Sequence, residues 1–357
     1  MRMLAIGFAA LTAMSAGVYA AETKSHHVQK IAEDIYLFEP TEAHINSNTL
    51  VIVNRDDVLI VDSHNDPRSA RQLVADIKTV TSKPIRYVIN THFHFDHVGG
   101  NEVFSNAEII GSVFTHHQLS NNSFKGRTAQ IFYGPNGMMQ KWADDLKKST
   151  ETEFDPIKKA KLQQSLAEIT ASNLSVANEV ETPPTIAVKD KLTLYRGGRE
   201  IQIIFPGRGH TAGDLLIFLP KEGVVVTGDF FENLKTCCGF WGDAYPVDYV
   251  QSLQLLKNLD FKTVVAGHGP TISGDEAKAK ITAYQMYLLD LYEQVTSFKR
   301  QGLSALDASR KLDMSKHKVD FPDTLSPADF RGEKPDEAVL RIYELLDGKD
   351  YHAAAPY

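Results

Sequence analysis

The pattern of apolar and polar positions is clearest near residue 50. Residues Thr49 to Val53 and Val58 to Asp62 are rich in β-branched side chains, and the polar segment Asn54 to Asp57 between them predicts a hairpin. Pro67 to Val80 then has apolar side chains at helical spacing, and Ile85 to Ile89 returns to strand character. The chain therefore begins its folded part with strands, a helix and a further strand.

Residues 118–181 differ from their surroundings because they are polar, charged and mostly of helical propensity. Their clearest helical pieces are Lys141 to Leu146 and Ile157 to Ile169. We interpret this stretch as a helical insertion that packs over the core.

Short strand candidates flank this insertion: Ala107 to Ile110, Lys191 to Tyr195, Ile201 to Phe205, Leu215 to Leu219, Val224 to Thr227 and Thr263 to Ala266. From residue 276 onward the pattern is helical, with Ile281 to Phe298 and Asp336 to Leu346 as the strongest segments. We expect a catalytic domain over residues 21–275 and a C-terminal helical extension over residues 276–357.

The N-terminus has the pattern of a secretory signal peptide. Arg2 precedes an apolar run from Met3 to Val18, and small residues at Val18-Tyr19-Ala20 suit a signal-peptidase site. A buried helix is the alternative, but the polar residues that follow at once favour a cleaved segment, 1–20. We expect a periplasmic or secreted protein.

Composition limits the class of partner. The net charge of -7 and a pI near 6.0 give no electrostatic reason to expect binding to nucleic acid or to a membrane, so a small-molecule substrate is the expected partner. The sequence leaves the oligomeric state open. The two cysteines, Cys237 and Cys238, are adjacent and cannot join distant parts of the fold.

The strongest chemical signal is a cluster of imidazole and carboxylate groups directly after the strand Ile85 to Ile89. Four potential metal ligands, His92, His94, Asp96 and His97, fall within six residues, and Gly99 and Gly100 follow them. At the end of a strand, His92 and His94 can face one metal while the next turn carries Asp96 and His97 toward a neighbouring one. We expect the two glycines to permit tight backbone turning.

This cluster resembles the signature of the metallo-β-lactamase superfamily. Four further segments resemble the other motifs of that family, in the same order along the chain: Leu59 to Asp62, Gly209 to Asp214, Thr227 to Asp229 and Gly267 to Gly269. Five ordered motifs are more specific than any one of them.

The resemblance implies an α/β fold, a four-layer αββα sandwich, with metals at one edge between the sheets. It also implies that His92, His94 and His210 hold one zinc ion, that Asp96, His97 and His268 hold a second, and that Asp229 bridges both. Asp62 would lie near these ligands without being one. An aspartate at position 229 is more similar to lactonases, glyoxalase II enzymes and related esterases than to the best-known zinc β-lactamases, which have cysteine there.

These expectations lead to a functional hypothesis. An exported zinc-dependent hydrolase would cleave an ester, lactone or amide bond, with β-lactams among the amides, through a hydroxide that bridges two zinc ions. Asp96 is the expected catalytic residue, which orients that hydroxide and accepts its proton. Two alternatives stay open, a persulfide dioxygenase-like enzyme with a single iron and a metal-binding protein without turnover.

A loop after Asp229 is the last candidate feature. Cys237, Cys238, Phe240 and Trp241 would form an apolar wall or lid over substrate, or else an ordinary packed loop. The helical insertion and the C-terminal helices would shape the pocket or form a dimer surface.

Overall fold

A computed structural model describes residues 25–41, 46–121, 123–238, 241–324, 330 and 332–350. The predicted signal segment, 1–20, lies outside the described residues. Over the described part of the chain, no helix combines the length and the apolar character needed to cross a membrane.

The strands are β1 (His26–Ala32), β2 (Ile35–Pro40), β3 (Thr49–Val53), β4 (Val58–Val61), β5 (Ile85–Ile89), β6 (Glu108–Ser112), β7 (Ile186–Val188), β8 (Lys191–Arg196), β9 (Arg199–Ile204), β10 (Leu216–Leu219), β11 (Val224–Gly228), β12 (Thr263–Ala266) and β13 (Ile272–Ser273). The α-helices are α1 (Pro67–Ile77), α2 (Phe95–Val98), α3 (Val113–Ser120), α4 (Arg127–Tyr133), α5 (Met138–Thr152), α6 (Pro156–Ala177), α7 (Pro246–Asn258), α8 (Gly274–Arg300), α9 (Ala305–Lys311) and α10 (Glu337–Leu346). Three short 3-10 helices, Asn101–Phe104, Ser123–Lys125 and Ser315–His317, complete the elements of the described residues.

The strands form two mixed sheets. In the first, β1 to β7 lie in sequence order, antiparallel as far as β4 and parallel from β4 to β7. In the second sheet, the order is β13-β12-β11-β10-β9-β8. Among the described strand pairs of this second sheet, only β11–β12 is parallel. Residues 49–53 and 58–61 pair as the predicted hairpin.

The two sheets pack face to face because each contributes alternate apolar side chains to a shared core. Leu50, Ile52 and Leu59 from the first sheet meet Ile203 and Ile217 from the second in one buried cluster. Residues that point the other way along the same strands, such as Val51 and Ile60, pack under helices instead.

Helices cover both outer faces. Leu73 and Ile77 of α1 pack on the first sheet, and Leu253 of α7 and Ile281 of α8 pack on the second. The layers therefore run helix, sheet, sheet, helix, and the predicted αββα sandwich is confirmed.

This topology brings several strand ends to one edge. Asp62 follows β4 and His92 lies three residues beyond β5, which is parallel to β4. In the second sheet, Asp229 follows β11 and His268 lies two residues beyond its parallel neighbour β12. Because parallel strands end at the same edge, the loops after them meet there.

Candidate metal centre

The seven predicted ligands come together at this edge in two groups, although they span residues 92–268. The first group contains His92, His94, His210 and Asp229, and the second contains Asp96, His97, Asp229 and His268. In each group one donor atom from every residue lies within 4.8 Å of all the others.

The first group is built from three imidazoles and one carboxylate. His94 Nδ1 lies 3.0 Å from His210 Nε2. Asp229 Oδ2 lies 3.9 Å from His92 Nε2 and 3.7 Å from His210 Nε2. Such spacing leaves a small space between the donor atoms, of the size that a metal with ligand distances of about 2 Å requires.

The second group lies on the other side of Asp229. Asp229 Oδ1 is 3.2 Å from His97 Nε2 and 3.6 Å from His268 Nε2. Asp96 Oδ2 is 3.3 Å from His97 Nε2 and 3.0 Å from His268 Nε2. The two oxygens of Asp229 thus face different groups, which is the geometry of a carboxylate able to bridge two cations.

The electrostatics of this cluster favour positive charge. Burial alone lowers the pKa of His97, but the negative charges of Asp229, Asp96 and Asp62 outweigh it and raise the pKa well above its usual value. Burial likewise opposes a charged His268, and Asp229 and Asp96 raise its pKa to about 9. The carboxylates of this group therefore favour a bound positive charge, whether it is carried by a proton or by a metal ion.

The first group has the opposite protonation pattern. Burial and the neighbouring imidazoles hold the pKa of His92 well below its usual value and lower that of His210 to about 3. These imidazoles are therefore neutral, as metal ligation requires. His92 Nε2 is also buried without a hydrogen-bond partner in the described structure, so the donor set fits a metal ion.

Two carboxylates outside the ligand set orient the imidazoles. His97 Nδ1 lies 2.8 Å from Asp62 Oδ2, and Asp62 also accepts hydrogen bonds from the backbone N and the Oγ1 of Thr91, both at 2.8 Å. Asp62 therefore lies beside the cluster, as the family resemblance implies. His94 Nε2 lies 3.1 Å from Asp243 Oδ2. Fixing one ring nitrogen leaves the other directed at the metal space.

Asp243 and Glu232 are site residues that sequence reasoning missed. Asp243 also accepts a hydrogen bond from Thr128 Oγ1, so it connects α4 of the insertion to His94. Glu232 is 2% exposed and lines the cavity beside the cluster. Burial, with the charge of Asp229, raises the pKa of Glu232 well above its usual value.

Gly99 and Gly100 were predicted to permit tight backbone turning, but the structure gives them a different role. Gly99 and Gly100 have φ values of -62° and -89°, which any residue adopts. A Cβ on Gly99 would lie 2.2 Å from the carbonyl oxygen of Asn65, and one on Gly100 would lie 2.0 Å from that of Ser63. Because Gly99 and Gly100 have no side chain, the backbone of residues 63–65 can pack directly against them. Neither glycine is needed for an unusual backbone conformation.

A cavity of about 550 Å³ opens beside the cluster. Cys237 and Trp241 line it, so the predicted wall after Asp229 is present, whereas Cys238 is fully buried in the core and Phe240 lies outside the described residues. Cys237 and Cys238 are joined by a disulfide. Both metal-ligand groups of the described residues consist of histidine and aspartate alone.

Comparison with known proteins places this centre in a family. A curated relative, a linear primary-alkylsulfatase from a Pseudomonas strain, is 21% identical over 331 residues, which cover 83% of this chain and 60% of that protein. A metallo-beta-lactamase type 2 from Elizabethkingia meningoseptica is 22% identical over 74% of this chain and 86% of that protein. A probable metallo-hydrolase from Bacillus subtilis is 26% identical over 67% of this chain and 72% of that protein.

Solved structures support the fold alone. A metallo-beta-lactamase from Pontibacter korlensis superposes with a TM-score of 0.53 at 18% identity and covers 73% of this chain and 99% of its own. The DIM-1 metallo-beta-lactamase gives 0.52 at 19% identity, over 73% of this chain and 97% of its own.

The family assignment itself comes from a match over most of the chain. The model of the metallo-beta-lactamase superfamily matches residues 44–268, which include all seven residues of the cluster. Because that range is more than half of the 357 residues, the chain belongs to the metallo-beta-lactamase superfamily.

Proposed function

We propose that this protein is an exported hydrolase that uses two zinc ions to cleave an ester, lactone or amide bond of a small molecule. The observation that carries the proposal is Asp229, whose two carboxylate oxygens face two separate groups of histidine and aspartate donors. The relatives of this chain include proteins named as an alkylsulfatase, a β-lactamase and a metallo-hydrolase, which supports hydrolysis as the class of reaction.

The residues of the cluster would have three roles: metal ligand, proton acceptor and support of a ligand. His92, His94 and His210 would hold one ion, Asp96, His97 and His268 the other, and Asp229 both. When bound, such a pair supplies Lewis acidity and lowers the pKa of water from about 15.7 toward 7. Asp96 would orient the attacking water and accept its proton at Oδ1, since Oδ2 faces His97 and His268 and would hold the ion. Asp62 and Asp243 would keep the imidazoles of His97 and His94 in place.

The test combines metal analysis with hydrolysis of esters, lactones, sulfate esters and the β-lactam nitrocefin. We expect about two zinc ions per chain, loss of turnover on chelation and its recovery on adding zinc. Asp96→Asn is expected to lower kcat by about 10²- to 10⁴-fold, because it removes the proton acceptor. The control is Asp56→Asn, whose side chain is 68% exposed and pairs with Arg55 in the β3–β4 turn.

Other outcomes would replace the proposal. Iron alone, with oxygen uptake on a persulfide, would support the dioxygenase hypothesis, and tight metal without turnover on any substrate would support a binding protein. Export is tested by fractionating the cells and sequencing the mature N-terminus. A start near Ala21 is expected, and an intact Met1 in the cytoplasm would contradict export.

A further inference from the structure

We propose that the cavity beside the metal cluster binds an uncharged apolar chain of medium length on the substrate, so that the favoured substrates are neutral esters of medium-chain acids. This inference rests on the proposed hydrolase function and specifies its substrate.

The cavity is continuous with the cluster. His94, Asp96, His210, Asp229 and His268 line the same 550 Å³ space as the apolar side chains. A group bound there would therefore be attached directly to the bond held at the cluster. The volume is in the range of small-molecule sites, which run from about 300 to 1,000 Å³.

Three separate parts of the chain supply the apolar wall. The helical insertion contributes Phe132 and Met138, the loop after β11 contributes Leu234 and Trp241, and α8 contributes Leu291. Leu312, Met314 and Ala338 of the C-terminal extension continue the same wall. These side chains thus build a pocket for an apolar group, which binds more tightly with each methylene removed from water.

The charged side chains on this wall are acidic. Beyond the cluster, Asp323 and Asp336 line the cavity among the described residues. Carboxylates at that position repel a negatively charged end of a substrate chain. A neutral chain meets no such repulsion, and its hydrolysis needs only water, which adds across the acyl C–O bond to give an acid and an alcohol.

The first experiment measures kcat/KM of the zinc-loaded protein for methyl esters from acetate to octanoate. We expect a rise of about fourfold per methylene, the ratio that corresponds to transfer of one methylene from water. The monomethyl ester of suberic acid, which ends in a carboxylate, should lose at least about tenfold relative to methyl octanoate. Equal rates for acetate and octanoate would overturn the inference while leaving hydrolysis intact.

The second experiment measures binding without turnover. Neutral primary alcohols from ethanol to octanol, which have no bond that the proposed activity cleaves, are titrated calorimetrically into the protein, and Kd should fall by a similar factor per methylene. Chain-dependent binding without cleavage of any ester, lactone or amide would sustain the apolar binding site and contradict the proposed function. Binding that ignores chain length would contradict the inference whatever the catalytic result.

A matched pair of variants tests whether the apolar chain binds in this cavity. Met138 is 45% exposed on α5 and lines the cavity, whereas Met286 is 57% exposed on α8 and does not line it. Met138→Glu should lower the ratio of octanoate to acetate kcat/KM, and the affinity for octanol, by about tenfold or more. Met286→Glu should change neither. Equal effects of the two variants would show that the chain binds elsewhere.

Discussion

Asp62 is the residue through which the fold controls the orientation of His97. Its side chain is 1% exposed, accepts two hydrogen bonds from Thr91 and lies 2.8 Å from His97 Nδ1. Asp62→Asn keeps the shape but removes the negative charge that faces this imidazole. We expect metal affinity to fall by roughly 10- to 100-fold, as measured by competition with a chromophoric chelator.

The matched control for this change lies at the opposite end of the same strand. Asp57 precedes β4, is 2% exposed and pairs with Arg196, whereas Asp62 follows β4. Asp57→Asn should lower stability without changing metal affinity. If both variants retained full affinity, Asp62 would have no role in holding His97 for a metal.

Local sequence pattern decides which site residues can be predicted. His92, His94, Asp96 and His97 form a dense local signature, and the remaining ligands lie in short motifs that the family resemblance identifies. Asp243 and Glu232 are single carboxylates in a loop, and nothing next to them in sequence indicates burial. Their importance comes from contacts over long sequence separations, such as the 149 residues between His94 and Asp243.

At the scale of elements, a destabilising carboxylate lies two residues after the end of α6. Burial, with the charges of Glu181, Asp66 and Glu102, raises the pKa of Glu179 to about 9. Its Oε2 is buried and has no hydrogen-bond partner in the described structure. Because the folded state retains this proton up to a higher pH than the unfolded state, stability falls as the pH rises from about 4.5 toward 9.

Glu179→Gln is therefore expected to stabilise the protein increasingly over this pH range. The gain relative to wild type should grow with a slope of at most about 1.4 kcal/mol per pH unit, measured by urea unfolding at pH 5 to 8. Glu168→Gln within α6 is the control, because Glu168 pairs with Arg68 at 3.0 Å and its loss should not stabilise. A constant difference between Glu179→Gln and wild type across pH would contradict the assignment.

Element prediction succeeded where burial imposes a period and was incomplete elsewhere. The segments 49–53 and 85–89 occur as predicted, and α5 and α6 contain the two helical pieces expected in the insertion. The β1–β2 pair was not predicted, because edge strand β1 alternates little between buried and exposed positions. The predicted helix 67–80 ends at Ile77, since Lys78 to Val80 form a turn.

At the scale of the whole molecule, the insertion and the C-terminal helices meet across the cavity. Arg127 of α4 donates to Glu344 and, at 2.7 Å, to Glu337, both on α10. The Arg127 side chain is 17% exposed and that of Glu344 is 13% exposed, so this contact is shielded from solvent. The neighbouring residues Thr128 and Ala338 line the cavity, which makes this ion pair a support for its wall.

Arg127→Met should destabilise the helical insertion and the C-terminal helices together. Removing the guanidinium leaves two carboxylates on α10 without this cation, and we expect the free energy of unfolding to fall by about 1 to 3 kcal/mol in urea titrations.

Arg310→Met is the matched control, because Arg310 pairs with Asp307 within α9 and both side chains are 55% exposed. The loss of Arg310 should lower the free energy of unfolding by less than about 0.5 kcal/mol. Selectivity for long acyl chains should fall in Arg127→Met and not in Arg310→Met, because Arg127 joins α4 to α10 whereas Arg310 pairs within α9. If both arginine variants unfolded at the same urea concentration, the insertion and the extension would be independent, and the cavity wall would need another support.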